Sequence, residues 1–340
     1  MCCPLTTALD NNLIAMKLRT EVIPEQMSGT INHGSRIIML GSCFSDNIAG
    51  ELRRRLFNMV SNPFGTLFNP ASIARVSGHL ATSKAFSTED LFKHNGLYHC
   101  FDCHSSLSRT DADTMLENLN RVTTDAGKFL REATDVFLTF GTAWIYELNS
   151  TGQTVANCHK LPASEFRRRK LSVEEAEREM MQAIENIRTV NPTARIYLTV
   201  SPVRHLADGA HGNNLSKSTL LLAADSVAAQ TGATYFPSYE IVMDELRDYR
   251  FYDRDMCHPA PLATEYIFER FADAFFSTET KELSAECEKL TRRMAHRPMT
   301  DNREAIEKFK EQTFIIKQKL SDRYPKLKPA MERFFQNIQQ

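Results

Sequence analysis

Short apolar runs and helical apolar repeats alternate along most of the chain, and that alternation predicts an α/β protein with a central, mainly parallel sheet. Arg36–Leu40, RIIML, is the first run, with the continuous apolar character of a strand buried on both faces. Ile48, Leu52 and Leu56 then recur at four-residue spacing, which predicts a helix starting where the strand stops, with no linker between. DVFLTF from Asp135 gives a second strand ending at Gly141. A helix over about Val173–Ile187 leads to a third strand, RIYLTV from Arg195, which stops at Ser201-Pro202. Another helix near Ser218–Ala229 precedes a short fourth strand in the first half of ATYFPSYEI.

Three segments depart from this rhythm, and no internal repeat runs through them. Residues 83–108 are rich in aromatics, His and Gly, as expected of a segment inserted over the rim of the sheet. From about Thr278 the chain carries many charges with scattered apolar residues at helical spacing. This predicts a helical extension over 279–340, packed on the domain or on a partner subunit. Residues 1–15, MCCPLTTALDNNLIA, show little periodicity, and Met16 is a plausible second start. They are expected to be a disordered or mis-assigned leader to a domain spanning 16–278.

Composition narrows the partners. With 340 residues and 42% hydrophobic content the chain can bury one sizeable core. Its 41 basic and 42 acidic residues nearly cancel, so no long-range field draws it to nucleic acid or anionic lipid. No apolar run reaches the roughly 18 residues of a membrane span, and the N-terminus lacks a secretory pattern, so no membrane partner is expected. Eight cysteines are sparse for a disulfide scaffold of this length, which fits reduced thiols and a cytoplasmic protein. Neither G-x-G-x-x-G nor G-x-x-x-x-G-K-[ST] occurs, so no cofactor is expected.

In open α/β sheets ligands bind beyond the carboxyl ends of the strands. Four polar elements fall at such ends or in loops that reach them: Gly41-Ser42-Cys43, Asn62-Pro63-Phe64-Gly65, Gly141-Thr142, and Asp255 with His258. Cys43 opens the first turn of its helix, where free N–H groups favour a thiolate and a lowered pKa. The same position suits a small buried hydrophobe with Ser42 as N-cap. In DRDMCHP, Asp255 precedes His258 by three residues, which lets the carboxylate hold one ring nitrogen while the other faces a nucleophile; a surface or capping pair has the same spacing. Arg204 and His205 end the third strand and, with Lys217, either receive an anionic substrate group or fix loops. Cys100, Cys103 and His104 form CxxCH, with His94 and His99 nearby, but no second cysteine pair at zinc spacing accompanies them. No metal is expected there, and His104 is taken as a residue of the pocket rim.

Together, GSCFS from Gly41, SNPFGTLFNPASI, LTFGTAWIYE, VANCHK, LTVSPVRH, LSKSTLLLA and YFPSYEIVMDELRDYRFYDRDMCHP resemble the GSCFA family from about Leu18 to Phe275. That family is in turn similar to the SGNH or GDSL-like hydrolases. The resemblance implies a three-layer α/β/α, flavodoxin-like fold and chemistry by a nucleophile, an Asp and a His. The superfamily's Gly-Asp-Ser block falls on Gly41-Ser42-Cys43, with Cys43 in the nucleophile's place. Its second-block glycine, an oxyanion donor, falls on Gly65, and its closing Asp-x-x-His-Pro falls on Asp255, His258 and Pro259. Its Gly-x-Asn-Asp block lands on Gly141-Thr142-Ala143, where Ala143 replaces the donating asparagine. The oxyanion hole is then left to the backbone N–H groups of Cys43 and Gly65, with Asn62 as a side-chain donor.

The resemblance implies acyl transfer from a small-molecule or glycan ester, or a thioester, through Cys43, with His258 as base and Asp255 as its orienter. Cys43 sulfur is expected within about 4 Å of a His258 ring nitrogen. Gly141, Thr142, His104, Arg204, His205 and Lys217 would line the pocket. Two alternatives stand beside this: an esterase using Ser42, and a non-catalytic glycan- or acyl-binding module that lost turnover with the asparagine.

Overall fold

The computed structural model describes residues 19–296 and 302–338; the leader expected over 1–15 lies outside them. In chain order the elements open with β1 (Arg36–Gly41), α1 (Cys43–Arg54), β2 (Asn58–Ser61), α2 (Pro70–Thr82), β3 (Phe92–His94), β4 (Leu97–His99) and α3 (Ala112–Arg131). Next come β5 (Asp135–Phe140), β6 (Trp144–Leu148), β7 (Thr154–Val155), β8 (Phe166–Lys170), α4 (Val173–Val190), β9 (Arg195–Val200) and α5 (Gly209–Thr231). The chain closes with β10 (Thr234–Tyr235), the single turn α6 (Ser238–Glu240), α7 (Pro261–Phe275), α8 (Thr278–Ala295), α9 (Arg303–Arg323) and α10 (Lys328–Ile338).

Five strands make the central sheet in the order β10-β9-β5-β1-β2, and every pairing is parallel. This is the flavodoxin-like doubly wound order, in which the strand sequence reverses between β1 and β5 and opens a crevice at their carboxyl ends. Strand alternation divides the core. Ile38, Leu40, Val136, Leu138 and Phe140 pack with α2, α3, α4 and α5 on one face. Ile37, Met39, Phe137 and Tyr197 pack with α1 and α7 on the other. The result is a three-layer α/β/α fold.

The structure adds to the four expected strands, starts the helix expected near Ser218 at Gly209, and ends the first helix before Leu56. β2 is a fifth strand at the sheet's edge, and β6, β7 and β8 form a small antiparallel sheet of their own. Leu56 does not lie on the first helix face; α1 stops at Arg54, and Leu56 turns left-handed at φ 56° and buries itself against the C-terminal helices. Those helices cover the β2 edge: Leu56 packs with Leu283, Cys287, Leu290 and Met331, and Arg333 Nη1 reaches Met59 O at 3.5 Å. An exposed edge would otherwise offer unpaired backbone groups to other chains. The segment 83–108 forms the β3–β4 hairpin and returns so that His104 N–H donates to Phe64 O at 2.8 Å, beside the loop after β2. Among the described residues no helix is long and apolar enough to cross a membrane.

Candidate active site

The site begins with a glycine that no other residue can replace. At Gly41 φ is +148°, and a Cβ there would lie 2.1 Å from Thr139 O on the neighbouring β5. Gly41 N–H donates to Asn62 Oδ1 (2.8 Å), Ser42 N–H donates to Thr139 O (3.1 Å) and Leu67 N–H donates to Gly41 O (2.9 Å). The end of β1 is thereby tied to β5 and to the loop after β2 before α1 starts. Ser42 occupies the N-cap position of α1 without a side-chain capping bond. Its Oγ is buried and unpartnered.

Cys43 is the first residue of α1 and is half-buried. Its thiol pKa is raised, which corrects the expectation of a helix-stabilised thiolate. Burial is the largest cause and the Asp46 carboxylate the second; the backbone N–H groups of Cys43 and Phe44, together with Lys217, pull the other way and are outweighed. Asp46 is held in place by Asn62 Nδ2 at 2.8 Å and by Ser61 Oγ at 2.9 Å. The thiol therefore rests protonated at neutral pH and needs a base to become a nucleophile.

Asp255 and His258 form the pair that their spacing suggested. Asp255 Oδ2 meets His258 Nδ1 at 2.5 Å, while Asp255 Oδ1 accepts the backbone N–H groups of Cys257 (2.9 Å) and His258 (3.0 Å). Those backbone bonds, followed by the side-chain bond from His258, pull the Asp255 pKa down to about 2. The side chains are 50% and 45% exposed, respectively. Arg204 fixes this loop: its N–H donates to Cys257 O at 3.0 Å, and its Nη1 donates to Met256 O at 3.2 Å. Of the two roles open to Arg204, these contacts are those of a loop clamp. Among the described residues no hydrogen bond joins Cys43 Sγ to His258.

Lys217, expected in the pocket, lies beneath it. Only 1% exposed, its Nζ donates to Gly141 O (2.5 Å) and Ser201 O (2.7 Å), the residues that come directly after β5 and β9. Burial lowers its pKa from 10.5 to about 7, against an opposing pull from Cys43. Between those values the unfolded chain holds a proton that the folded chain has released, so this group adds stability as pH climbs from about 7 towards 10.5. Urea unfolding of the parent and of Lys217→Met at pH 7 and at about pH 9.5 should show the difference between them moving in the parent's favour by on the order of 3 kcal/mol. A difference that does not change with pH would mean that Lys217 stays charged in the fold.

The remaining expected residues are mostly engaged within the loops. Asn62, at φ 41°, directs its amide nitrogen at Asp46 (2.8 Å) and Ser42 O (3.5 Å) and is not a free oxyanion donor. Gly65 N–H is likewise engaged, by Asn62 O at 2.7 Å. Thr142 Oγ1 bonds Ser216 Oγ at 3.0 Å. His104 packs its Cβ over Gly65, and its Nδ1 meets Ser106 Oγ at 3.1 Å. Cys100 and Cys103 belong to the core, and among the described residues no group of three or more His, Cys, Asp or Glu could hold a metal ion.

A cavity of 390 Å³ opens beside the strand ends, lined by Phe68, Thr142, Trp144, Asn157, Arg168 and His205 among others. Arg168 stacks on Trp144 with its guanidinium carbon 4.3 Å from the ring centroid. Phe68, Asn69, Trp144 and Arg168 do not stand out in the sequence; for the first three the signal available was their place in the SNPFGTLFNPASI and LTFGTAWIYE stretches, and Arg168, in FRRRK, had none. Asp46 carried a clearer one, an acid in the first turn of the helix that Cys43 begins.

A family model described as the GSCFA family matches residues 36–271, a span that includes β1, Cys43, Lys217 and the Asp255–His258 loop. Among curated proteins nothing matches the chain.

Proposed function

The chain belongs to the GSCFA family, and from that premise we propose that it is a hydrolase or acyltransferase of the SGNH or GDSL-like kind, acting on a small-molecule or glycan ester or on a thioester. The observation that carries this reading is the Asp255–His258 pair, held at 2.5 Å on a loop clamped to the end of β9, in a fold that brings Cys43 to the neighbouring switch point. Asp255 fixes Nδ1, which leaves Nε2 to act as base.

In the first half-reaction His258 Nε2 takes the Sγ proton as the Sγ–carbon bond forms, and the carbonyl electron pair moves onto oxygen. Collapse of this intermediate expels the alcohol or thiol, which takes the proton from His258. Water or an acceptor alcohol then attacks the acyl-cysteine, loses its proton to His258 and restores the thiol. The backbone N–H of Cys43, which has no intrahelical carbonyl to bond at the helix start, faces the developing oxyanion. Ser42 is wholly buried, which favours Cys43 as nucleophile. The free thiols of all six described cysteines support the cytoplasmic setting proposed here.

Intact-mass analysis after reaction with p-nitrophenyl acetate and a panel of acyl thioesters, followed by peptide mapping, should find one acyl group per chain on Cys43. An adduct on Ser42 would move the nucleophile by one residue. No adduct at either position would favour a binding module.

A further inference from the structure

Gly141 follows β5 where four groups converge. A Cβ built on Gly141 would lie 3.1 Å from Phe68 O, 3.2 Å from Ser42 Cβ and 3.4 Å from His205 Nε2. Lys217 Nζ holds the Gly141 carbonyl at 2.5 Å. Both His205 Nε2 and Ser42 Oγ are buried without a hydrogen-bond partner among the described residues. A buried ring nitrogen and a buried hydroxyl left unpaired each cost free energy, and such groups call for an explanation. Here the two side chains meet beside Gly141, directly after β5, in the block where this chain has Ala143 at the place that the SGNH resemblance gives to a donating asparagine.

We propose that His205 is a catalytic residue of this site, whose Nε2–H donates a hydrogen bond to the carbonyl oxygen of the substrate as it becomes an oxyanion, in place of the side-chain donor that Ala143 lacks. The inference rests on the acyl-transfer reading and adds a residue to it. His205 is held for the task. Its backbone N–H donates to Asn213 Oδ1 at 2.9 Å, its ring meets the edge of Phe68 at 6.0 Å and 85°, and the preceding Arg204 is tied to Cys257.

Burial, then Lys217, then His258 push the His205 pKa down to about 4, so the imidazole is neutral at working pH. A neutral ring donates one hydrogen bond without giving up its proton. That is the property required of an oxyanion donor, and not of the base, which His258 supplies. Gly141 is needed beside it because a side chain there would fill the approach to Nε2. When the Sγ–carbon bond forms, the carbonyl electron pair moves to oxygen, Nε2–H and the Cys43 N–H face that charge, and no proton leaves His205.

The experiment measures steady-state turnover of an acyl thioester, acyl labelling of Cys43 and alkylation of Cys43 by iodoacetamide, in the parent protein, His205→Ala and His205→Gln. His205→Ala should lower kcat by about 100-fold with little change in KM, and His205→Gln, which restores an N–H donor, should recover part of the loss. Alkylation, which passes through no oxyanion, should be unchanged in both, and this also reports an intact site. Parent-like kcat in His205→Ala, or alkylation slowed as much as turnover, would overturn the assignment while leaving Cys43 as nucleophile. An acyl group mapped to Ser42 and lost in His205→Ala would make His205 the base of a serine site instead. A parent protein that takes up no acyl group would end the acyl-transfer reading, and this inference with it.

Discussion

Cys43→Ala should abolish acyl transfer, with kcat falling by roughly a million-fold, because a covalent mechanism has no path once its nucleophile is gone. His258→Ala should cost about 10²- to 10⁴-fold, the ordinary worth of a general base. The base matters more here than at a site with a preformed thiolate, since burial and Asp46 keep the Cys43 thiol protonated. Cys43→Ser should keep only a trace, because a hydroxyl is harder still to deprotonate. Steady-state turnover of an activated thioester, with circular dichroism to confirm folding, provides the measurement. Activity surviving in Cys43→Ala would remove the proposed mechanism.

Gly41→Ala should yield no soluble folded protein. The added Cβ would sit 2.1 Å from Thr139 O, less than any non-bonded contact, and the clash is with backbone in the middle of the sheet. Gly41 and Thr139 are register partners of β1 and β5, so relief would require those strands to part. The φ of +148° adds strain of its own. A cost above about 5 kcal/mol is expected, which is comparable with the whole stability of a domain. Gly65→Ala is the graded comparison: its Cβ would meet His104 Cβ at 2.4 Å with φ +75°, so the backbone that carries His104 must shift, but no strand of the central sheet must part. That variant should fold with stability reduced by about 1–3 kcal/mol in a urea melt. A Gly41→Ala protein melting close to the parent would show that the end of β1 is far less constrained than its contacts imply.

Local patterning carried the main strands. RIIML, DVFLTF and RIYLTV read as buried strands because each is a short run dominated by apolar residues, and each is a strand in the structure. β2 escaped because NMVS is short and only its first two residues are buried. β8 escaped because FRRRK carries four cations in a row. It is a strand by virtue of its partner, since Glu147 on β6 accepts Arg167 at 2.6 Å and Arg169 at 2.9 Å across the antiparallel ladder. No property of FRRRK alone predicts that pairing.

That Gly41-Ser42-Cys43 ends a strand and begins a helix, and that Asp255 and His258 can pair, is legible along the chain, because both depend on neighbours a few residues apart. Tertiary structure decided the rest. That Ser42 Cβ and His205 Nε2 converge at Gly141, and that Lys217 lies under Gly141 and Ser201, results from setting β1, β5 and β9 side by side. The Cys43 pKa marks the division most sharply. The helix start, legible in the sequence, favours the thiolate, whereas the burial that opposes it exists only once the layers have closed. Desolvation is a property of the surroundings in space, and here it outweighs the local field of the first helical turn.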